Sequence, residues 1–119
     1  MPMRQLEANV RTQPGTALID LKGEINSLGE PAMEAAYVQA IQQNPSVILL
    51  NFREVDYINS TGIALIVSLM ARARKEGRRL VATNLSEHYV EIFKITRLSD
   101  FMPIFPDEAS ALAAAPASH

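Results

Sequence analysis

Few side chains in this chain of 119 residues could do covalent or metal chemistry, and their spacing narrows the field further. The two histidines are His88 and His119. Neither has a second imidazole at i, i+4, and no 2-His-1-carboxylate set can be assembled, so a metal centre is not expected. His88, beside Glu87 and Glu91, has the setting of a surface residue. Cysteine is absent, which removes thiolate nucleophiles, Cys-based zinc sites and disulfides. Glu24 with Glu30, or Glu54 with Asp56, could pair for general acid–base work, but both pairs fall in polar loops where solvated acids are the rule. A Ser-His-Asp triad would have to use His88, and no serine lies in a nucleophile-elbow sequence. The five glycines are scattered singly, so no phosphate-cradling loop is present. The expectation is a protein that is not an enzyme, with no catalytic residue, metal or cofactor.

One segment stands apart: Asp56-Tyr57-Ile58-Asn59-Ser60-Thr61-Gly62-Ile63. Asn, Ser and Thr are preferred helix N-caps, where one side-chain oxygen satisfies an orphan N–H for about 1 kcal/mol. Capping alone would explain those three residue types. It does not explain Gly62, which falls in the first helical turn, where glycine is a poor choice. A bare backbone there would let another chain approach closely. Ile63, Leu65, Ile66, Val67, Leu69 and Met70 follow, apolar nearly all round, a wider surface than one buried stripe needs.

The elements that would position this segment alternate in type. Leu6 to Arg11 and Ala17 to Leu21, the second ending in Gly23, are joined by Pro14-Gly15 and should form an antiparallel hairpin. Pro31 suits a first helical position, Met33, Ala36, Tyr37, Ala40 and Ile41 recur at helical spacing, and Asn44-Pro45 stops the helix. Ser46 to Phe52 is a continuous apolar run suited to a central strand covered on both faces. A helix from Ser60 to Glu76 closes at Gly77 as a left-handed cap. Its last turn carries Arg72, Arg74 and Lys75, followed by Arg78 and Arg79, cations that complement the helix dipole. Leu80 to Thr83 predicts a strand, Ser86 caps a helix from Glu87 to about Ile95, and Phe101 to Phe105 predicts a last strand. Asp107 caps an Ala-rich helix ended by Pro116. The order β-β-α-β-α-β-α-β-α implies an α/β fold: a mixed, mostly parallel sheet with an N-terminal antiparallel hairpin and about four helices. The special segment then lies at the carboxyl end of the central strand, where ligands and partners approach such sheets.

Bulk properties agree with one small domain. Hydrophobic residues make up 48% and charged residues 20%, a globular balance. A net charge of -2 argues against direct nucleic-acid binding, which needs a basic face. Met1 to Asn9 is polar, unlike a signal peptide, and the longest apolar stretches are too short to cross a bilayer. No membrane insertion is expected, and the expected compartment is cytoplasmic.

Asn59-Ser60-Thr61-Gly62-Ile63 resembles the Asp-Ser-Ser/Thr-Gly-hydrophobic signature of the STAS family, seen in bacterial anti-sigma factor antagonists. Leu21 to Asn26 is similar to the family's Gly-Glu-Leu/Ile-Asp at the end of the second strand. Val47 to Phe52, followed by Val55 to Ile58, extends the resemblance over most of the chain. It implies a single STAS domain over residues 1–119, with a core of about 4–114 and a frayed tail at 115–119. It also implies a partner that is at once anti-sigma factor and serine kinase, and a serine phosphatase. The kinase phosphorylates the first serine of the motif, and the unphosphorylated form binds the kinase and frees the sigma factor. By position the acceptor is Ser60, with Thr61 the alternative, and Asn26, Asn59, Ser60, Thr61, Gly62 and Ile63 form the partner surface. Where antagonists of the family carry Asp, this chain has Asn26 and Asn59, which keep the capping shape without the charge. A second reading within the family is a STAS subunit of a lipid-transport ABC complex or a scaffold, binding constitutively without phosphorylation. For Arg72 to Arg79 the alternatives are a solvated helix end and a surface for an acidic partner or anionic membrane.

Overall fold

The computed structural model describes residues 4–114. The Pro14-Gly15 turn reverses the chain between β1 (Glu7–Gln13) and β2 (Thr16–Ile25), and Gly15 takes the left-handed φ of 77° that so tight a connection demands. The two strands pair antiparallel, from Glu7 opposite Lys22 to Gln13 opposite Thr16. β2 does not stop at Gly23 as its sequence suggests. Gly23 has φ 103°, and a Cβ there would lie 2.8 Å from the Gln5 carbonyl oxygen, so glycine lets the strand shift register and continue to Ile25.

β3 (Val47–Ile58) is the central strand, and it unites the apolar run with the Val55 to Ile58 segment in a single length of 12 residues. It pairs parallel with β2 and with β4 (Arg79–Thr83), and β4 pairs parallel with β5 (Ile104–Phe105). The sheet order is β1-β2-β3-β4-β5, mixed and mostly parallel with an antiparallel first pair. The crossovers are α1 (Glu30–Ala40), α2 (Ser60–Lys75) and α3 (Glu87–Ile95). Strands joined in sequential order by crossovers of one hand keep their helices on one face. Tyr37, Ile66 and Phe93 of these helices accordingly share one core with Ile19, Ile48, Leu50 and Phe52 of the sheet. Strand alternation sends Leu18, Val47, Leu49 and Val81 to the opposite face, where α4 (Glu108–Ala114) covers them with Ala111 and Leu112.

The helix ends follow the sequence signals. Asn44, with φ 53°, and Gly77, with φ 77°, both take left-handed backbone where α1 and α2 run out. Ser86 Oγ accepts from the Tyr89 N–H, and Asp107 Oδ1 accepts from the Ser110 N–H at 2.8 Å. Pro116, expected to end the last helix, and the 115–119 tail lie outside the described residues. The final strand is shorter than the Phe101 to Phe105 run suggests. Leu98–Asp100 forms a 3-10 turn, and the N–H groups of Phe101 and Met102 both donate to the Leu98 carbonyl, which withholds them from the sheet.

Besides its apolar packing, α4 is tied to the hairpin by a cation. Arg11 on β1 donates to both carboxylate oxygens of Asp20 on β2, at 2.6 and 2.8 Å, and reaches Glu108 of α4 at 2.7 Å. The Arg11 hydrogen bonds hold the Asp20 carboxyl below the usual carboxylate range, against partial burial and with help from the Asn51 amide. A depressed carboxylate contributes stability above its unfolded pKa of about 4 and loses it as pH falls through the folded value. Urea midpoints between pH 7 and pH 3 should therefore fall more steeply for the native chain than for Asp20→Asn. Parallel curves would remove Asp20 from the acid response.

Candidate functional site

Two neighbouring strands end side by side. Ile25, the last residue of β2, is the register partner of Ile58, the last residue of β3. Each strand is followed by an asparagine in extended backbone that starts a helical turn. Asn26 (φ -146°, ψ -171°) is buried, and its Oδ1 accepts from the Leu28 N–H at 2.9 Å to open the 3-10 turn Ser27–Gly29. Asn59 (φ -92°, ψ -178°) caps α2, its Oδ1 accepting from the Gly62 N–H at 2.8 Å. The Asn59 N–H itself donates to the Ile25 carbonyl at 3.2 Å, extending the strand pairing by one residue.

Gly62 explains how closely these ends meet. A Cβ on Gly62 would lie 2.0 Å from the Ile25 carbonyl oxygen and 2.7 Å from its carbon, well inside van der Waals contact. The close approach that the sequence suggested for another chain is thus made by the protein's own β2, and Gly62 is buried. This corrects the reason for the glycine: it seats the first turn of α2 on the sheet.

With Asn59 as cap and Gly62 as seat, Ser60 and Thr61 occupy the first two helical positions and are both exposed. The N-cap bond that a hydroxyl could have made belongs to Asn59 instead. Ser60 therefore stands at the positive end of a 16-residue helix without being the residue that closes it. Ile63 is half-buried, and Ile66, Leu69 and Met70 are turned into the core, so only part of the apolar surface of α2 is presented. What remains outside is Val67, 40% exposed, with Leu28 at 62% after Asn26 and Tyr57 at 53% before Asn59. All six residues singled out by sequence, Asn26, Asn59, Ser60, Thr61, Gly62 and Ile63, come to this one corner, in two layers. The asparagines and Gly62 build it, and Ser60 and Thr61 face out from it.

Tyr89 of α3 is a contributor that the sequence did not flag. Its buried hydroxyl accepts from the Ile58 N–H at 2.8 Å and lies 3.3 Å from the Ile58 carbonyl, to which it can donate, fixing the end of β3 to α3. A tyrosine three residues after a serine cap announces a buried ring, but nothing in its spacing tells where the hydroxyl goes. Asp56 pairs with Arg4 at 3.1 Å on the surface, while His88 is exposed with its ring edge-on to Tyr89. Among the described residues no group of acidic or histidine side chains could hold a metal ion, and no helix is long and apolar enough to cross a membrane.

This division of labour predicts an unequal response to substitution. Asn59→Ala should cost about 1–2 kcal/mol through the lost cap, and Gly62→Ala about 3 kcal/mol through overpacking against backbone. Ser60→Ala should stay within about 0.5 kcal/mol, as exposed substitutions do. Urea unfolding of the three variants checks the order, and a Ser60→Ala loss equal to that of Asn59→Ala would return the cap to the serine.

The sequence model of the STAS domain family matches residues 7–111. The anti-sigma-B factor antagonist of Bacillus subtilis (strain 168) is 26% identical over 99 residues, 83% of this chain and 90% of the relative. An anti-sigma factor antagonist from Mycobacterium paratuberculosis, seen in a crystal structure, has a TM-score of 0.75 at 21% identity, covering 92% of this chain and 93% of that one. The Bacillus cell fate determinant SpoIIAA in its phosphorylated form has a TM-score of 0.69 at 21% identity, covering 91% and 99%. At such identities the two solved structures establish the shared fold.

Proposed function

The chain belongs to the STAS domain family, and from that premise we propose that it is an anti-sigma factor antagonist. In this reading it docks an anti-sigma factor that is also a serine kinase, through the corner formed by the ends of β2 and β3. Phosphorylation of Ser60 by that kinase blocks docking, and a serine phosphatase restores it. Thr61 is the alternative acceptor. The observation that carries the reading is the placement of Ser60: exposed, in the first turn of α2, and relieved of capping duty by Asn59. The relative in Bacillus subtilis named an anti-sigma-B factor antagonist supports it, as does the phosphorylated form known for SpoIIAA.

The physics of such a switch is local. A phosphate brings about -1.5 to -2 charges at neutral pH. At the amino end of α2 the helix dipole tolerates that charge, so the fold survives. A docked partner would have to bury or repel it, and each ~1.4 kcal/mol of that cost lowers affinity tenfold. Leu28, Tyr57 and Val67, exposed on the 3-10 turn, the end of β3 and α2, supply apolar contact area for the unmodified form. No conformational change is required of the domain.

Intact-mass measurement of the chain from its native cells, with fragment mapping, should find a phosphate on Ser60 in some growth or stress condition. In pull-downs with the cognate kinase, Ser60→Ala should bind constitutively, and Ser60→Asp should remain folded but bind at least tenfold more weakly. An unmodified chain under every condition, with Ser60→Asp binding as well as the native protein, would instead favour the constitutive subunit of a transporter or scaffold.

A further inference from the structure

The five cations at the far end of α2 divide into two groups. Arg72 and Arg78 are built into the fold. Arg72 bonds Glu34 at 2.7 Å and lies 4.5 Å over the ring of Tyr37, whose hydroxyl donates to Glu76. Arg78 bonds Glu76, the Asn44 side chain and the Pro45 carbonyl, with its own side chain only 13% exposed. Among the described residues Arg74, Lys75 and Arg79 have no carboxylate partner, and all three are exposed. Arg74 is held 5.3 Å from the ring centroid of Phe101, an aromatic that is itself 51% exposed. Between them the surface is concave. A shallow depression of about 300 Å³ has Met70, Leu80 and Phe101 for its apolar lining and Arg74, Arg78 and Arg79 for its cations.

The helix dipole accounts for cations in the last turn of α2. It does not account for Arg79, which lies on β4, nor for the half-exposed Phe101 that follows the 3-10 turn Leu98–Asp100. We propose that this surface is a second docking site, which takes an acidic segment of a partner protein carrying one apolar side chain. Guanidinium groups bind carboxylates in bidentate pairs, and here Arg74 lies against the Phe101 ring while Arg79 lines the same depression. The chain as a whole carries a net charge of -2, so the cationic end is a local reversal of sign that steers an acidic chain to one face. Concavity suits an inserted side chain better than a flat bilayer. The site lies about 22 Å along α2 from Ser60, and it stands whether or not Ser60 is phosphorylated.

The test uses fluorescence anisotropy with the full chain and a short fluorescein-labelled peptide of aspartates and glutamates around one central leucine. Saturable binding is expected, weakening at least tenfold from low to physiological salt. It should weaken at least tenfold again in the Arg74→Gln/Arg79→Gln variant and in Phe101→Ser, both of which alter exposed side chains and should keep the native thermal midpoint. A peptide with serine in place of the leucine should bind more weakly. The proposal is overturned by absence of saturable binding at low salt, by equal binding of the Arg74→Gln/Arg79→Gln variant, or by sedimentation with phosphatidylglycerol vesicles in preference to the peptide.

Discussion

The seat of Gly62 on the Ile25 carbonyl is the contact on which the candidate docking corner depends. Only a hydrogen atom on that Cα allows the first turn of α2 to sit on the end of β2, since a methyl carbon would lie 2.0 Å from the oxygen. The contact sets the direction of α2 and keeps the ends of β2 and β3 together, where the Asn59 N–H adds one more bond to the same carbonyl. It also decides which side chains face water. Once Gly62 is turned inward, the two residues before it in the helix must point away from the sheet, and these are Ser60 and Thr61.

Much of this arrangement was legible in the sequence, because the signals were local. Turn chemistry at Pro14-Gly15, caps at Ser86 and Asp107, stops at Asn44 and Gly77, and a run of apolar residues too continuous for an edge strand each name their element without reference to the rest. The misjudged features depend on partners distant in sequence. Gly23 looked like a strand end, yet it lets β2 pass the Gln5 carbonyl and continue. Phe101 to Phe105 has the composition of a strand, yet its first residues bond back to Leu98. Gly62 was noticed for the right reason, that something must come close, but the neighbour lies 37 positions earlier in the same chain. The tie from Tyr89 to Ile58 leaves no trace in either segment taken alone.

Sheet asymmetry bears on the proposed use of the fold. Three helices cover one face, while the other has only α4 over Leu18, Val47, Leu49 and Val81, held by an arginine that bridges two carboxylates. At the carboxyl ends of β2 and β3, exposed Ser60 and Thr61 stand above buried Asn26 and Gly62, so the corner is rigid and accessible together. Rigidity matters for any docking surface, because a loop that must be ordered on binding gives up affinity to do so. Here the exposed hydroxyls stand on a helix whose first turn is fixed by backbone contact and whose body is anchored by Ile66, Leu69 and Met70.

The two asparagines bear on how a charge switch would work at such a corner. As a cap, an amide oxygen does what a carboxylate oxygen does: each accepts one N–H, from Leu28 and from Gly62. The difference is electrostatic. Two aspartates would make the corner negative before any modification, and a phosphate would then enlarge a charge already present. With Asn26 and Asn59 the two caps are neutral, and the nearby Asp56 is paired with Arg4. On the proposed reading, phosphorylation of Ser60 would place a strong negative charge beside two neutral caps. A partner surface chosen for apolar contact with Leu28, Tyr57 and Val67 would meet that change as the burial of an unpaired charge, the most costly event an interface can be asked to absorb. Loss of the acids therefore removes attraction for a basic partner residue while increasing the contrast between the two states.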